Sequence, residues 1–236
     1  MDEAGRPEWH AQAEGIAGVC GSVLPGLVGV YVHGSAALGG FGPASDLDVL
    51  VVAEGDADWA ALGARLLADC GGPLALELSV VDAYAARHPS PPWPYHLHVN
   101  SGQSRFGLGV GRGDPDLVAH YAVTRAAGVA VTGPPPASTF GPVSRDQLMD
   151  YLRGELRSGV ESGDQRYAVL NACRAVAYAE TGRLLSKVDG ALWWREQHRA
   201  NWPLVAEALA AQRQGRDLGP ATPEARTFVE AATASW

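Results

Sequence analysis

The sequence lacks any apolar run near the ~20 residues that a membrane-spanning helix needs, so no helical membrane protein is expected. Its three cysteines, Cys20, Cys70 and Cys173, are odd in number and far apart, which argues against a disulfide framework or a zinc knuckle. Basic residues are scarce: 18 Lys and Arg stand against 26 Asp and Glu, a net charge of −8. No basic cluster of the kind that binds nucleic acid interrupts the chain. The opening MDEAGRPEWH has none of the basic-then-apolar order of a secretory signal. The expectation is a cytoplasmic monomer with neither nucleic acid nor membrane as partner. An acidic surface suits a cationic small substrate by concentrating it locally, and it equally serves solubility alone. What is present, 236 residues at 47% hydrophobic and 19% charged, is a globular chain able to form one large domain or two small ones.

The pattern changes character midway. A moderately amphipathic helix is expected over 8–23, then a glycine-bounded apolar strand over 26–34. A short helix or turn over 35–41 leads to a second strand, DLDVLVVAE (46–54). A helix over 56–71 follows, with aspartates at its start and Gly71 past its end, and a third strand spans 74–83. The Pro- and Gly-rich stretch 87–116 reads as an ordered loop region with one short strand around 95–99. A helix over 114–128 and a brief strand, VAVTG, complete this half. PPPASTFGPVS (134–144) is the clearest linker, and after it only helical periodicity remains. Helices are expected near 145–158, opened by a Ser144/Gln147 capping box, and over 163–182 with an apolar stripe through Leu170, Cys173 and Ala177. Gly182 stands where a C-terminal cap belongs. Further helices are expected near 189–199, 202–214 and 223–233. The fold class is therefore an α/β N-terminal domain, a mixed sheet with flanking helices over 1–138, plus an all-α helical-bundle domain over 139–236.

The stretch HGSAALGGFGPASDLDVLVV (33–52) carries the chemistry. Asp46 and Asp48, at i and i+2 on a strand, leave the same face roughly 6–7 Å apart. Carboxylates this close repel one another unless a cation joins them. Magnesium prefers oxygen ligands and commonly binds one or two carboxylates together with substrate phosphates. A D-x-D pair also simply ends strands in solvent, so the pair alone leaves both readings open. Gly34 and Ser35 follow the buried strand and offer backbone N–H groups, a hydroxyl and an unobstructed approach to a phosphate. In LALELSVV, Glu77 is the one charged residue in an apolar segment. On the face of the aspartates it becomes a third carboxylate, a metal ligand or a general base; on a sheet edge it would simply meet water. His96 and His98 share a strand face, for which packing or hydrogen bonding is favoured over metal ligation. GLGVGRG (107–113) lacks the strand–helix context of a dinucleotide-binding loop.

These residues resemble the GS-x(n)-DxD signature of the nucleotidyltransferase superfamily related to DNA polymerase β. More narrowly, the chain resembles the aminoglycoside adenylyltransferases that modify spectinomycin and streptomycin. The likeness extends through LELSVVD, PWPYHLH, VAVTGPPP and GDQRYAVLNACRAVAYAETGRLLSKVDGALWW. The resemblance implies MgATP with two Mg2+ ions, transfer of AMP to a drug hydroxyl, and release of pyrophosphate. It implies that Asp46 and Asp48 hold magnesium, that Glu77 shares the metal and activates the hydroxyl, and that Gly34 and Ser35 bind the triphosphate. Arg174 and Lys187 match basic residues that neutralise ATP phosphates, and Asp164 matches a carboxylate that contacts the aminocyclitol. A snorkelling arginine, a solvated lysine and an ordinary helix N-cap are the plain alternatives for these three. The tryptophan and extra aspartate associated with streptomycin are replaced here by Gly102 and Val160, which tilts the expectation towards spectinomycin. The competing functions are nucleotide transfer to another small-molecule or protein hydroxyl, and a non-catalytic ligand-binding relative.

Overall fold

The computed structural model describes residues 9–43, 45–70, 72–234 and 236. The chain divides into two compact units, one of Met1–Ala37 with Ser45–Val143, the other of Leu38–Ala44 with Ser144–Trp236. The first unit runs α1 (His10–Val23), β1 (Leu27–Val32), α2 (Gly34–Ala37), β2 (Leu47–Ala53), α3 (Trp59–Asp69), β3 (Leu76–Asp82), α4 (Ala83–Arg87), β4 (Leu97–Asn100), β5 (Arg105–Leu108), α5 (Leu117–Ala127), β6 (Val129–Thr132) and α6 (Pro136–Thr139). Residue 8, where the first helix was expected to start, and Gly71, the expected stop of α3, lie outside the described residues.

The six strands form one sheet in the order β5-β4-β3-β2-β1-β6. Among the described residues β2 and β3 run parallel, and the other neighbouring pairs are antiparallel. Parallel neighbours need a crossover, and α3 supplies it, started by the Asp58 side chain accepting the Ala61 N–H at 2.9 Å. The mixed sheet with flanking helices is as the sequence suggested. The β-branched runs Val30–Val32, Val49–Val52 and Leu78–Val81 are buried, and Ile16 of α1 with Leu62 and Leu66 of α3 join that core.

Three elements depart from the sequence reading. The third strand stops at Asp82 because its carboxylate accepts the Tyr84 and Ala85 N–H groups and starts α4. The 87–116 region holds two paired strands, β4 and β5, where one was expected. The proline-rich 134–144 stretch is packed: it forms α6, and Thr139 and Phe140 are buried. The Tyr31 hydroxyl donates to the Pro134 carbonyl at 3.1 Å and lies 2.9 Å from Thr139 Oγ1. Arg125 bonds the carbonyls of Ala137 and Phe140. Proline clusters interrupt regular structure without preventing burial, and here two side chains of neighbouring elements hold the segment down.

The second unit contains α7 (Arg145–Ser162), α8 (Gln165–Thr181), α9 (Lys187–Gln197), α10 (Trp202–Gln214) and α11 (Pro223–Ala234). The Ser144/Gln147 capping box is formed, and Gly182 caps α8 at φ +71 with its N–H on the Tyr178 carbonyl. Helix α8 touches the other four and is buried almost all round, Leu170, Cys173 and Ala177 included. Trp193 and Trp194 belong to the same core, with Trp202 packed against it. Alanines on α8 let its neighbours approach closely, and Gly190 of α9 does the same from the other side: a Cβ there would stand 2.9 Å from Arg174 Cβ. No helix among the described residues is long and apolar enough to cross a membrane.

Tyr31→Phe is expected to lower stability by about 1 kcal/mol through loss of a buried hydrogen bond. In a domain of this size that moves the thermal midpoint by about 2–4 °C; an unchanged midpoint would mean that this hydroxyl does not hold the 134–140 segment.

Candidate active site

Asp48 and Glu77 are the second residues of β2 and β3 and stand directly opposite each other in the parallel ladder. Paired positions on neighbouring strands project to one face, so the two carboxylates are neighbours. Both are partly buried, whereas the residues that follow them are sealed in the sheet. The Leu47 N–H extends the ladder to the Ala75 carbonyl at 2.7 Å, which fixes the strand heads. Glu77 is not on a sheet edge, since β2 and β4 flank β3. Asp46 precedes β2, is exposed, and acts electrostatically on Glu77.

Gly34 lies against this pair. Its φ is +58, and a Cβ there would overlap the Asp48 carboxylate, standing 2.6 Å from its Cγ. Glycine is thus needed twice, for the left-handed backbone and for the space. The preceding His33 N–H donates to the Asp48 carbonyl at 3.0 Å, tying the turn to β2. Ser35 is the second residue of α2 and is partly exposed.

Burial pushes the Glu77 carboxyl above its ordinary value; His120 pulls it back, and Asp46, Asp116 and Asp114 add to the rise. This histidine and the two aspartates were not singled out in the sequence, where Asp114-Pro-Asp116 reads as a helix start and His120 as part of α5. The His120 ring lies 4.7 Å from that of buried His33. Burial holds both imidazoles below their usual value, against the pull of Glu77 on His120. Nothing in linear spacing connects these residues to β3; only the packing of α5 does. His98 Nδ1 meets the Ser79 hydroxyl at 3.0 Å, and His96 stacks on Trp59 at 4.4 Å. Both have the packing and hydrogen-bonding roles that the sequence favoured for them.

Asp48 and Glu77, beside a turn kept bare by Gly34, have the hard-oxygen chemistry that magnesium prefers. Among the described residues no group of three acid, histidine or cysteine side chains is placed so that it could hold a metal ion by itself. An open, partly protein-ligated site is what magnesium uses when substrate phosphates and water complete its shell, so these residues fit the ion.

In the helical unit, Asp164 is the N-cap of α8: its carboxylate accepts the Arg166 N–H at 2.9 Å and pairs with the Arg166 guanidinium at 2.8 Å. Lys187 opens α9 and places Nζ 4.6 Å from the centre of the Tyr167 ring. The Tyr167 hydroxyl donates to Glu155 at 2.6 Å. Arg174 is partly buried on α8 beneath Gly190. Gly102 is exposed in the turn Ser101–Gln103 between β4 and β5, and Val160 of α7 packs against the helical core.

Gly34→Ala is expected to cost about 1–2 kcal/mol from the left-handed backbone alone, with more from the displaced Asp48 carboxylate. Urea denaturation checks it: a variant as stable as the native protein would mean that Gly34 is under no such constraint.

Comparison with known proteins agrees with this geometry. A family model described as nucleotidyltransferase domain matches residues 16–77, and one described as aminoglycoside adenylyltransferase, C-terminal domain, matches residues 138–235. The chain is similar to an aminoglycoside (3'') (9) adenylyltransferase of Shigella flexneri, 31% identical over 231 residues that cover 89% of this chain and 88% of that protein. It is equally similar to the Escherichia coli protein of the same name, at 31% identity and the same coverage. Among solved structures, its fold is that of spectinomycin adenyltransferase AAD(9) from Enterococcus faecialis, solved with ATP and spectinomycin. The TM-score is 0.74 at 16% identity, over 95% of this chain and 98% of that one. With an acid pair on parallel strands, a glycine turn against it and relatives matched over nearly their whole length, the chain belongs to the aminoglycoside adenylyltransferase family of nucleotidyltransferase enzymes.

Proposed function

We propose that the protein transfers AMP from MgATP to a hydroxyl of an aminoglycoside or aminocyclitol antibiotic, releasing pyrophosphate, with spectinomycin preferred to streptomycin. The observation that carries this reading is the pairing of Asp48 with Glu77 at the heads of adjacent parallel strands, with Gly34 held bare beside them. Residues 1–138 then act as the nucleotidyltransferase domain and residues 139–236 as the helical domain that contributes to ATP and drug binding. A cytoplasmic monomer is the form in which it is expected to act.

In this reading Asp46, Asp48 and Glu77 would hold two magnesium ions, which would supply charge stabilisation for the transferring phosphate. Glu77 takes the proton from the drug hydroxyl. The freed oxygen attacks the α-phosphorus in line, an O–P bond forms, and the bond to pyrophosphate breaks. The Gly34 and Ser35 turn receives the triphosphate through backbone N–H groups. Arg174 and Lys187 neutralise phosphate charge, a role assigned from their match to the family pattern.

Asp164 contacts a drug ammonium in this scheme, in competition with Arg166, which already pairs with its carboxylate. Spectinomycin is favoured because Gly102 offers no stacking surface and Val160 no carboxylate, where streptomycin-modifying relatives carry tryptophan and aspartate. The relative that shares the fold was solved with spectinomycin and ATP, in keeping with that preference.

Glu77→Gln is expected to keep equilibrium binding of ATP and drug while kcat falls by about 10²–10⁴. Normal turnover would remove Glu77 from the base role, and mass analysis of the product tests the transfer itself. Asp164→Asn preserves a good N-cap and removes the charge. Its melting temperature should stay near native while the KM for spectinomycin rises about tenfold, the loss of one charge-assisted hydrogen bond. A KM that does not move would leave Asp164 as a cap alone.

A further inference from the structure

We propose that Gly40 is a positioning residue for nucleotide binding. Its bare Cα lets the connection between the Ser35 turn and the Asp46–Asp48 strand lie directly on Ser186, the residue that caps α9 and precedes Lys187. The inference rests on the ATP-dependent reading above and adds to it a residue that acts through others.

The connection Leu38–Ala44 groups with the helices and not with the sheet that it leaves and re-enters. Within that unit a Cβ on Gly40 would stand 2.6 Å from Ser186 Cβ and 2.9 Å from its Oγ, closer than real Cβ atoms come. Backbone conformation does not explain the glycine. Gly40 has no left-handed φ, in contrast to Gly39, which sits at φ +77 with nothing within 4 Å. Contact is therefore the reason for glycine at 40.

Ser186 cannot yield to a larger neighbour. It is 3% exposed, and its hydroxyl accepts the Asp189 N–H at 3.0 Å while donating to Asp189 Oδ2 at 2.7 Å. Helix α9 is itself packed closely on α8, where a Cβ on Gly190 would stand 2.9 Å from Arg174 Cβ. A side chain at 40 must push the connection itself away. One end of that connection is the Gly34–Ser35 turn and the other is Asp46, so a displacement falls on groups assigned to the triphosphate and its ions. Misplacement by about 1 Å is costly in such sites.

The test uses Gly40→Ala, Ser186→Gly and the double variant in the full chain. Readouts are the shift in melting temperature on adding MgATP, and KM for ATP and for spectinomycin measured separately. Ser186→Gly removes the two clashing atoms and leaves an acceptable N-cap, at a cost of a few tenths of a kcal/mol. G40A is expected to raise the KM for ATP about tenfold, to shrink the MgATP-induced melting shift, and to move the KM for spectinomycin much less. The double variant should return to within about twofold of S186G. If G40A does not fold, a double variant that folds and binds ATP supports the proposal, and one that also fails to fold overturns it. Native ATP affinity in G40A, or a loss that S186G does not repair, also overturns it. A native protein that shows no MgATP shift and no ATP turnover would instead overturn the AMP-transfer reading.

Discussion

The parallel pairing of β2 with β3 is the constraint on which the rest of the site depends. It sets Asp48 against Glu77 in one register, and like charges opposed on a sheet are unfavourable. The molecule tolerates the pair because it lies at the strand heads, where solvent still reaches, while Val49–Val52 and Leu78–Val81 bury the remainder of both strands. The apolar strand bodies thus carry the cost of the charged heads. A slip by one residue would turn the acids to the other face and expose the apolar set, so the hydrophobic core itself enforces the register of the acids.

Two close approaches hold the chain on either side of α2. Gly34 brings a left-handed turn against the Asp48 carboxylate, and Gly40 brings the following connection against Ser186. In both places the absent side chain is the functional property. The glycines differ in kind: the first is required by backbone conformation and by space, the second by space alone. Between these two glycines and Asp46 the chain leaves its sheet, rests among the helices and returns.

Helix α8 has the corresponding role in the second unit. It is central to its bundle and mostly apolar, yet it carries Asp164 at its cap, Tyr167 and Arg174 at its surface, and it faces Lys187 at the start of α9. The cap pairs with Arg166 two residues on, so the Asp164 charge is shared with its own helix before any ligand arrives. The Tyr167 ring lies under the Lys187 ammonium, and its hydroxyl donates to Glu155.

The sequence alone determined the periodicity, and with it most of the elements. Alternating and continuous apolar runs placed β1, β2 and β3, and the capping box and Gly182 placed ends of α7 and α8, whereas Asp46, expected on the second strand, precedes it. Those are local properties, set by neighbours within a few residues. Tertiary structure decided what depends on residues distant in sequence. It paired Glu77 with Asp48, brought His120, Asp114 and Asp116 to influence Glu77, and set Gly40 on Ser186. It also turned the proline-rich 134–144 stretch into a packed segment through Tyr31 and Arg125. Spacing along a chain fixes the direction of a side chain on its own element, whereas its neighbours across elements follow from register and packing, which no single stretch encodes.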